Sequence, residues 1–314
     1  MRRRNLIILS LIILLISLLY IIYSSIFRGE LYLWKVDIDN KPVYLLGSIH
    51  AFKPELYPLI DPKIMDAFNS ADLVLFENIA YFKRRYWLED GRILKDYIPE
   101  PYYSEISDAL KSKGFDIEEY SLYRPFDFLF HMSYVMSGLY GYGSYFDDGI
   151  DLYFSKLRSS RRIRSGSLEP IYYYFDLMEK HMPKDLAAFY ISKTVKSFAD
   201  DGEIRRKELE KGMYNWLNCK DIQTMAMIDF NLSYISDDNS EKKLKLFDIL
   251  KNVHCQRNLA MADSIERYAI SKGNKVIFAM AGVSHLIGEN NIIEILRKKG
   301  YKAKRIKRSW VLPF

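Results

Sequence analysis

Two segments of the chain carry the same device, an apolar run that ends in Gly-x-x-His. Near the start Val43-Tyr44-Leu45-Leu46 leads into Gly47-Ser48-Ile49-His50, and near the end Val276-Ile277-Phe278-Ala279-Met280-Ala281 leads into Gly282-Val283-Ser284-His285. The chain holds only five histidines, and these two stand at equivalent places. Glycine lets the backbone turn where a Cβ would clash, and open α/β sheets bind ligands in the crevice beyond the carboxyl ends of their strands. The repeat therefore predicts one site built by His50 and His285 from opposite ends of the sequence. Two carboxylates share that placing: Glu77 closes the run Leu73-Val74-Leu75-Phe76, and Glu169 follows Leu168 at the end of a weakly β-like piece. An acidic residue closing a buried strand is costly unless paired. Imidazole with carboxylate is the usual donor set for zinc, manganese or iron. Such an ion acidifies bound water and polarises a carbonyl, and a spare carboxylate can take the proton. His50, Glu77, Glu169 and His285 are thus the candidate metal set, with Glu77 also a candidate general base.

Arg257 and Asn258 fall in a helical run over 253–268. If that helix lines the crevice, Arg257 stabilises developing negative charge or holds a substrate carboxylate. Ser48 and Asn258 are the polar residues placed to touch a substrate. His131, His181 and His254 read as structural; His254 and Cys255 are adjacent, so on a helix they face different directions. No HExxH, Gly-x-Ser-x-Gly or kinase signature is present, so a hydrolytic reading rests on the two-ended constellation.

The elements that must position these residues form an α/β pattern: a central mixed sheet from two strand–GxxH–helix–strand units, with a large helical insertion. Residues 31–37 and 43–46 predict a hairpin with a polar turn over 38–42. A helix follows over 62–70, with Asp61 as N-cap and Pro62 at its first position, then a strand over 72–76, compatible with a parallel pair. Helical periodicity dominates 81–272, with candidate helices over 104–113, 125–137, 147–158, 184–199, 203–217 and 240–271. Tyrosines crowd 172–174 and read as packing with their hydroxyls at the rim. One short β-like piece, 161–168, interrupts the helices. A strand over 275–281, a helix over 289–299 and a last strand from Tyr301 end the pattern.

At the N-terminus Arg2, Arg3 and Arg4 precede 23 uncharged, mostly apolar residues, 5–27. That length suffices to cross a hydrocarbon core. The arginines predict a cytoplasmic N-terminus and place residues 29–314 outside the membrane as one domain, with 1–28 as anchor. A cleaved signal, giving a secreted protein, is the competing reading, but the apolar stretch exceeds a usual h-region and no clear cleavage site follows it. The net charge of +6 includes those three arginines, leaving a mildly basic domain with no nucleic-acid footprint. The basic stretches 158–164 and 302–308 fit solvated faces or anionic lipid equally. Cys219 and Cys255, the only cysteines, fit one disulfide or two separate thiols. Oligomeric state is not legible.

With these residues in hand, the chain resembles the TraB/PrgY–GumN family, which includes the Tiki metalloproteases. Tyr44 to His50 with Lys53-Pro54 and Tyr57-Pro58 looks like the family's opening motif, and 72–77 like its acidic strand. Gly149-Ile150-Asp151, Leu168-Glu169, Arg257-Asn258 and Gly282 to Glu289 match in order. The sequence departs at Gln256, where the family usually has Glu. The resemblance implies an erythromycin-esterase/ChaN-like α/β fold and a divalent-metal-dependent peptidase acting on extracytoplasmic peptides or proteins; manganese, cobalt or zinc would fit the donor set. By position it makes His50, Glu77, Glu169 and His285 the metal or catalytic set, with Arg257 in support. A non-catalytic protein that sequesters a peptide or other ligand is the alternative, and iron or haem binding a third.

Overall fold

The computed structural model describes residues 29–78, 91–219 and 240–309, with Leu15, Leu88, Met225, Leu232 and Ile235 besides. The expected membrane-spanning run, 5–27, lies outside the described residues apart from Leu15. No helix among the described residues is long and apolar enough to cross a membrane.

Strands β1 (Glu30–Ile38) and β2 (Lys41–Ser48) make the expected hairpin. Its turn is only Asp39 and Asn40, with φ of 51° and 59°. Asp and Asn tolerate this left-handed region, and two such residues match the twist of the strands they join. Helix α1 (Pro62–Ser70) begins where Asp61 accepts the Lys63 N–H at 3.0 Å, and β3 (Leu73–Phe76) follows. The insertion contributes α2 (Tyr102–Lys111), α3 (Pro125–Leu139), α4 (Ile150–Ser160), the short strand β4 (Arg164–Ser167), α5 (Tyr173–His181), α6 (Lys184–Asp200) and α7 (Gly202–Asn218). The chain closes with α8 (Ser240–Ile270), β5 (Ile277–Gly282), α9 (Ile292–Lys298) and β6 (Lys302–Lys307).

The result is a mixed α/β architecture on a six-stranded sheet of order β4-β3-β5-β2-β1-β6. β4, β3, β5 and β2 are parallel neighbours, and β1 runs antiparallel to both β2 and β6. The two strand–helix–strand units interleave: β5 lies between β2 and β3, so the parallel pair suggested for β2 and β3 is not a direct one. β5 is buried at every residue, as a strand with parallel neighbours and both faces covered must be. Because the four strands are parallel, Ser48, Phe76, Ser167 and Gly282 end at one edge, where the candidate residues begin.

Two cores flank this edge. One packs against the sheet around Leu33, Leu75, Phe68 and Phe278; the other lies within the insertion around Ile106, Phe128, Phe189 and Ile191. Helix α8 serves both. Leu246, Leu250 and Val253 enter the helical core, and Met261, Ala262 and Ile265 the sheet core. Residues 254–258 fall at the seam between them. Residues 171–175, read from sequence as a tyrosine stripe, include the start of α5. Cys219 and Cys255 are separate thiols.

Candidate functional site

The two Gly-x-x-His motifs sit on neighbouring parallel strands, one residue out of step: Gly47 lies beside Ala281 and Ser48 beside Gly282. A Cβ on Gly47 would meet Val283 atoms at 3.0–3.2 Å, so the first glycine lets the second turn pack against it. Beyond the strands both imidazoles meet Glu77. His50 Nε2 is 3.9 Å from Glu77 Oε2, and His285 Nε2 is 3.8 Å from Glu77 Oε1. The Gly282 N–H donates to Glu77 Oε2 at 2.8 Å and fixes the carboxylate. A Cβ on Gly282 would stand 3.5 Å from Glu77 Oε2, from His285 Cδ2 and from His50 Nε2. Gly282 therefore lines the space between these three side chains.

Each histidine is held through its other nitrogen. His50 Nδ1 lies 2.6 Å from Asp151 Oδ2, while the Ser48 hydroxyl donates to Asp151 Oδ1 at 2.5 Å. Asp151 arrives in the first turn of α4, where Gly149 lies so close that a Cβ would fall 2.3 Å from the His50 carbonyl oxygen. The Ile150 N–H donates to the Ile49 carbonyl at 3.0 Å. On the other side His285 Nδ1 lies 2.6 Å from Asn258 Oδ1, and Asn258 Nδ2 donates to the Asn290 carbonyl at 3.0 Å. A carbonyl acceptor sets the Asn258 amide orientation. With oxygen acceptors at both Nδ1 atoms, the neutral form of each ring carries its proton on Nδ1 and its lone pair on Nε2. The His50 side chain is 47% exposed and that of His285 2%, so the site opens on the His50 side.

Behind Glu77 stands a buried cation. Arg257 donates through Nε to both oxygens of Glu169, at 3.2 and 3.0 Å, and through Nη2 to Glu169 Oε1 at 2.6 Å and to Glu77 Oε1. Its guanidinium lies over the Tyr174 ring, 5.1 Å from the centroid. One cation is shared by two buried acids. Burial opposes charge on Glu77, but Arg257, His285, His50 and the Gly282 N–H outweigh it and hold the carboxyl well below its usual range. Glu169 has fewer donors; burial wins there and raises its pKa despite Arg257, and the Glu77 charge adds to the rise. At Arg257 burial works against the charge, and the two carboxylates overcome it. Burial, with His254 next, pushes His285 well below its ordinary value, leaving a neutral ring at neutral pH.

The structure thus brings His50, Glu77, His285 and Arg257 together. Glu169 is adjacent, but both its oxygens are bonded to Arg257 rather than turned to the histidines. Ser48 and Asn258, expected at the substrate, are buried behind the histidines: Ser48 is bonded to Asp151, the support of His50, and Asn258 to His285 itself. Asp151 was not among the expected site residues; the signal was there in Gly149-Ile150-Asp151. His254 stacks flat on His285, its Nε2 3.2 Å from the Ser284 carbonyl oxygen. His181 faces Gln256 at 3.1 Å, and His131 packs between Tyr120 and Tyr123.

Among the described residues no three His, Cys, Asp or Glu side chains form a ready metal cage. The donor chemistry around Gly282 nonetheless fits a divalent ion: the Nε2 atoms of His50 and His285 each face an oxygen of one ionised carboxylate, at 3.9 and 3.8 Å. Each histidine is held through Nδ1 by a side-chain oxygen, the support that metal-ligating histidines use.

A family model described as the TraB/PrgY/gumN family matches residues 32–305, a span that includes every residue of this site. The chain belongs to the TraB/PrgY/gumN family. No curated protein and no solved structure gives a significant match. Within this family member the opening and closing motifs are spatial neighbours, and the central Gly-Ile-Asp and Arg-Asn segments hold them from behind.

Proposed function

We propose that this protein is a metal-dependent hydrolase, a peptidase held in a membrane by residues 5–27 with its family domain outside. The observation that supports it most is the pair of Nε2 atoms, from the two Gly-x-x-His motifs, facing one ionised carboxylate. Nε2 of His50, Nε2 of His285 and the Glu77 carboxylate would hold manganese, cobalt or zinc. Such an ion, when bound, supplies an acidified water and a polarised substrate carbonyl. Glu77 acts here as anionic donor rather than base, because a carboxylate kept so strongly ionised is a weak proton acceptor. Arg257 supports negative charge that develops in the reaction; its bonds to the glutamates use Nε and Nη2 and do not involve Nη1. Glu169 orients Arg257, Asp151 orients His50 and Asn258 orients His285. The choice of peptide bonds rests on the likeness to metalloproteases.

The test is elemental analysis of the purified protein, followed by peptide-library cleavage with and without a chelator. Turnover that the chelator abolishes and the metal restores is expected, and His50→Ala is expected to abolish it with the fold kept. Peptide binding without any cleavage by the metal-loaded protein would replace this reading with ligand sequestration.

A further inference from the structure

The site and the start of β1 lie at the same edge of the sheet. β1 is antiparallel to β2, with Leu33 opposite Leu46. Gly29 lies four residues before Leu33, and His50 four residues after Leu46. β1 begins at the edge where β2 ends, so Gly29, just before β1, and His50, two residues past β2, lie on the same side of the sheet. In the sequence the apolar run, 5–27, ends two residues before Gly29.

The surface around Gly29 suits a lipid interface. The Arg308 N–H donates to the Gly29 carbonyl at 3.0 Å, which ties the basic end of β6 to this corner. Lys63 Nζ donates to the Lys307 carbonyl at 2.8 Å, and Asp61 accepts from the Ser309 N–H and hydroxyl at 2.8 and 2.7 Å. These bonds gather Lys63, Lys307 and Arg308, and Leu59, four residues before Lys63 in the chain, is 49% exposed. Acidic side chains stand here too: the buried Asp61, and Glu30 with Arg305 Nη1 3.9 Å from it. Cationic side chains and an exposed leucine are what a headgroup region of anionic lipid accepts. The opposite edge, near Lys272 and Lys275, lies at the amino end of β5.

We infer that the site opens at the membrane surface and acts on polypeptide segments held there, the stretch of a membrane-tethered protein within roughly 20 Å of the lipid. The inference rests on the hydrolase and anchor readings above. A substrate freely diffusing in solution would gain nothing from this placement. A tethered one is presented at high effective concentration and fixed height.

Two measurements on the full-length protein, in vesicles of phosphatidylcholine and phosphatidylglycerol, test it. In a Cys219→Ser/Cys255→Ser background a donor dye is placed at Leu59→Cys or at Lys272→Cys, with a headgroup-labelled lipid as acceptor. Strong energy transfer from position 59 and weak transfer from 272 is expected; equal or reversed transfer overturns the inference. Cleavage is then read on one peptide attached to lipid by a short or a long linker. The protein is expected to prefer the short tether at least tenfold, and a helical spacer inserted after Arg28 is expected to shift preference to the long one. A preference that the spacer leaves unchanged overturns the inference. If transfer places position 59 at the lipid but no peptide is cleaved, tethered or free, the hydrolase reading falls and takes the substrate with it, while the orientation stands.

Discussion

His254 lies flat against His285, with ring centroids 4.1 Å apart and planes 11° from parallel. Two stacked, buried imidazoles cannot both take protons cheaply. His285 also faces Glu77, whose charge favours its protonation, and Arg257 and His50, whose charges oppose it; burial and His254 dominate, and its pKa falls. The unfolded chain titrates this histidine near 6.5. Below that pH the unfolded state binds a proton that the folded state does not, so stability is full above about 6.5 and falls with acidification, by up to roughly 1.4 kcal/mol per pH unit. Urea unfolding of the metal-free protein between pH 7.5 and 5 should show this slope, and His285→Asn should flatten it. Glu77, whose folded pKa is depressed, loses its contribution only below its unfolded value of about 4.5, a separate window.

Among the described residues Arg257 is the one cation bonded to both Glu77 and Glu169. Replacing it with Met leaves two buried carboxylates uncompensated, a loss of about 3–5 kcal/mol at pH 7. Those acids would relieve themselves by taking protons. The stability gap between Arg257→Met and the parent should therefore narrow as pH falls from 7 to 5, measured by urea unfolding at each pH. A gap independent of pH would mean that the guanidinium acts by packing on Tyr174 rather than by charge.

Much of this arrangement was legible in local patterns. Asp61 before Pro62 marked the start of α1, the apolar run before Gly282 marked β5, and the repeated Gly-x-x-His marked both histidines. Each signal lies within a few residues of what it specifies. The insertion of β5 between β2 and β3 is set by pairing across more than two hundred residues and leaves no local trace. Asp151 reads locally as an acid stabilising a helix start; only the close approach of Gly149 to the His50 backbone reveals its second role. Glu169 was read as a metal or orienting group from its position after a strand, and the competing pull of Arg257, 88 residues on, could not be seen there. His254 was read as structural because its neighbour Cys255 faces elsewhere. Its stacking on His285 depends on how α8 crosses the seam between the two cores.

Asp151 accepts from both Ser48 and His50, so it should set the His50 ring without touching substrate. Asp151→Asn keeps the shape but offers an amide that can turn its NH2 toward Nδ1 and favour the wrong tautomer. Loss of such a support typically costs 10–100-fold in metal affinity. Manganese titration of the folded variant should show a loss of that size, and thermal unfolding a much smaller change. Ser48→Ala should weaken metal binding by less, since the His50 bond to Asp151 persists.

Two glycines make a contrast that separates architecture from chemistry. At Gly149 an added methyl would fall 2.3 Å from the His50 carbonyl oxygen, and backbone cannot yield cheaply. Gly149→Ala should lower the melting temperature by several degrees and disturb His50 with it. At Gly282 the backbone φ is −48°, which any residue adopts, and the nearest atoms to an added methyl are 3.5 Å away. Gly282→Ala should therefore fold with nearly unchanged stability. Its methyl would project into the space that Glu77, His285 and His50 border, so metal uptake should weaken and chelator-sensitive turnover fall with it. A Gly282→Ala protein that still binds manganese like the parent would move the site away from that space.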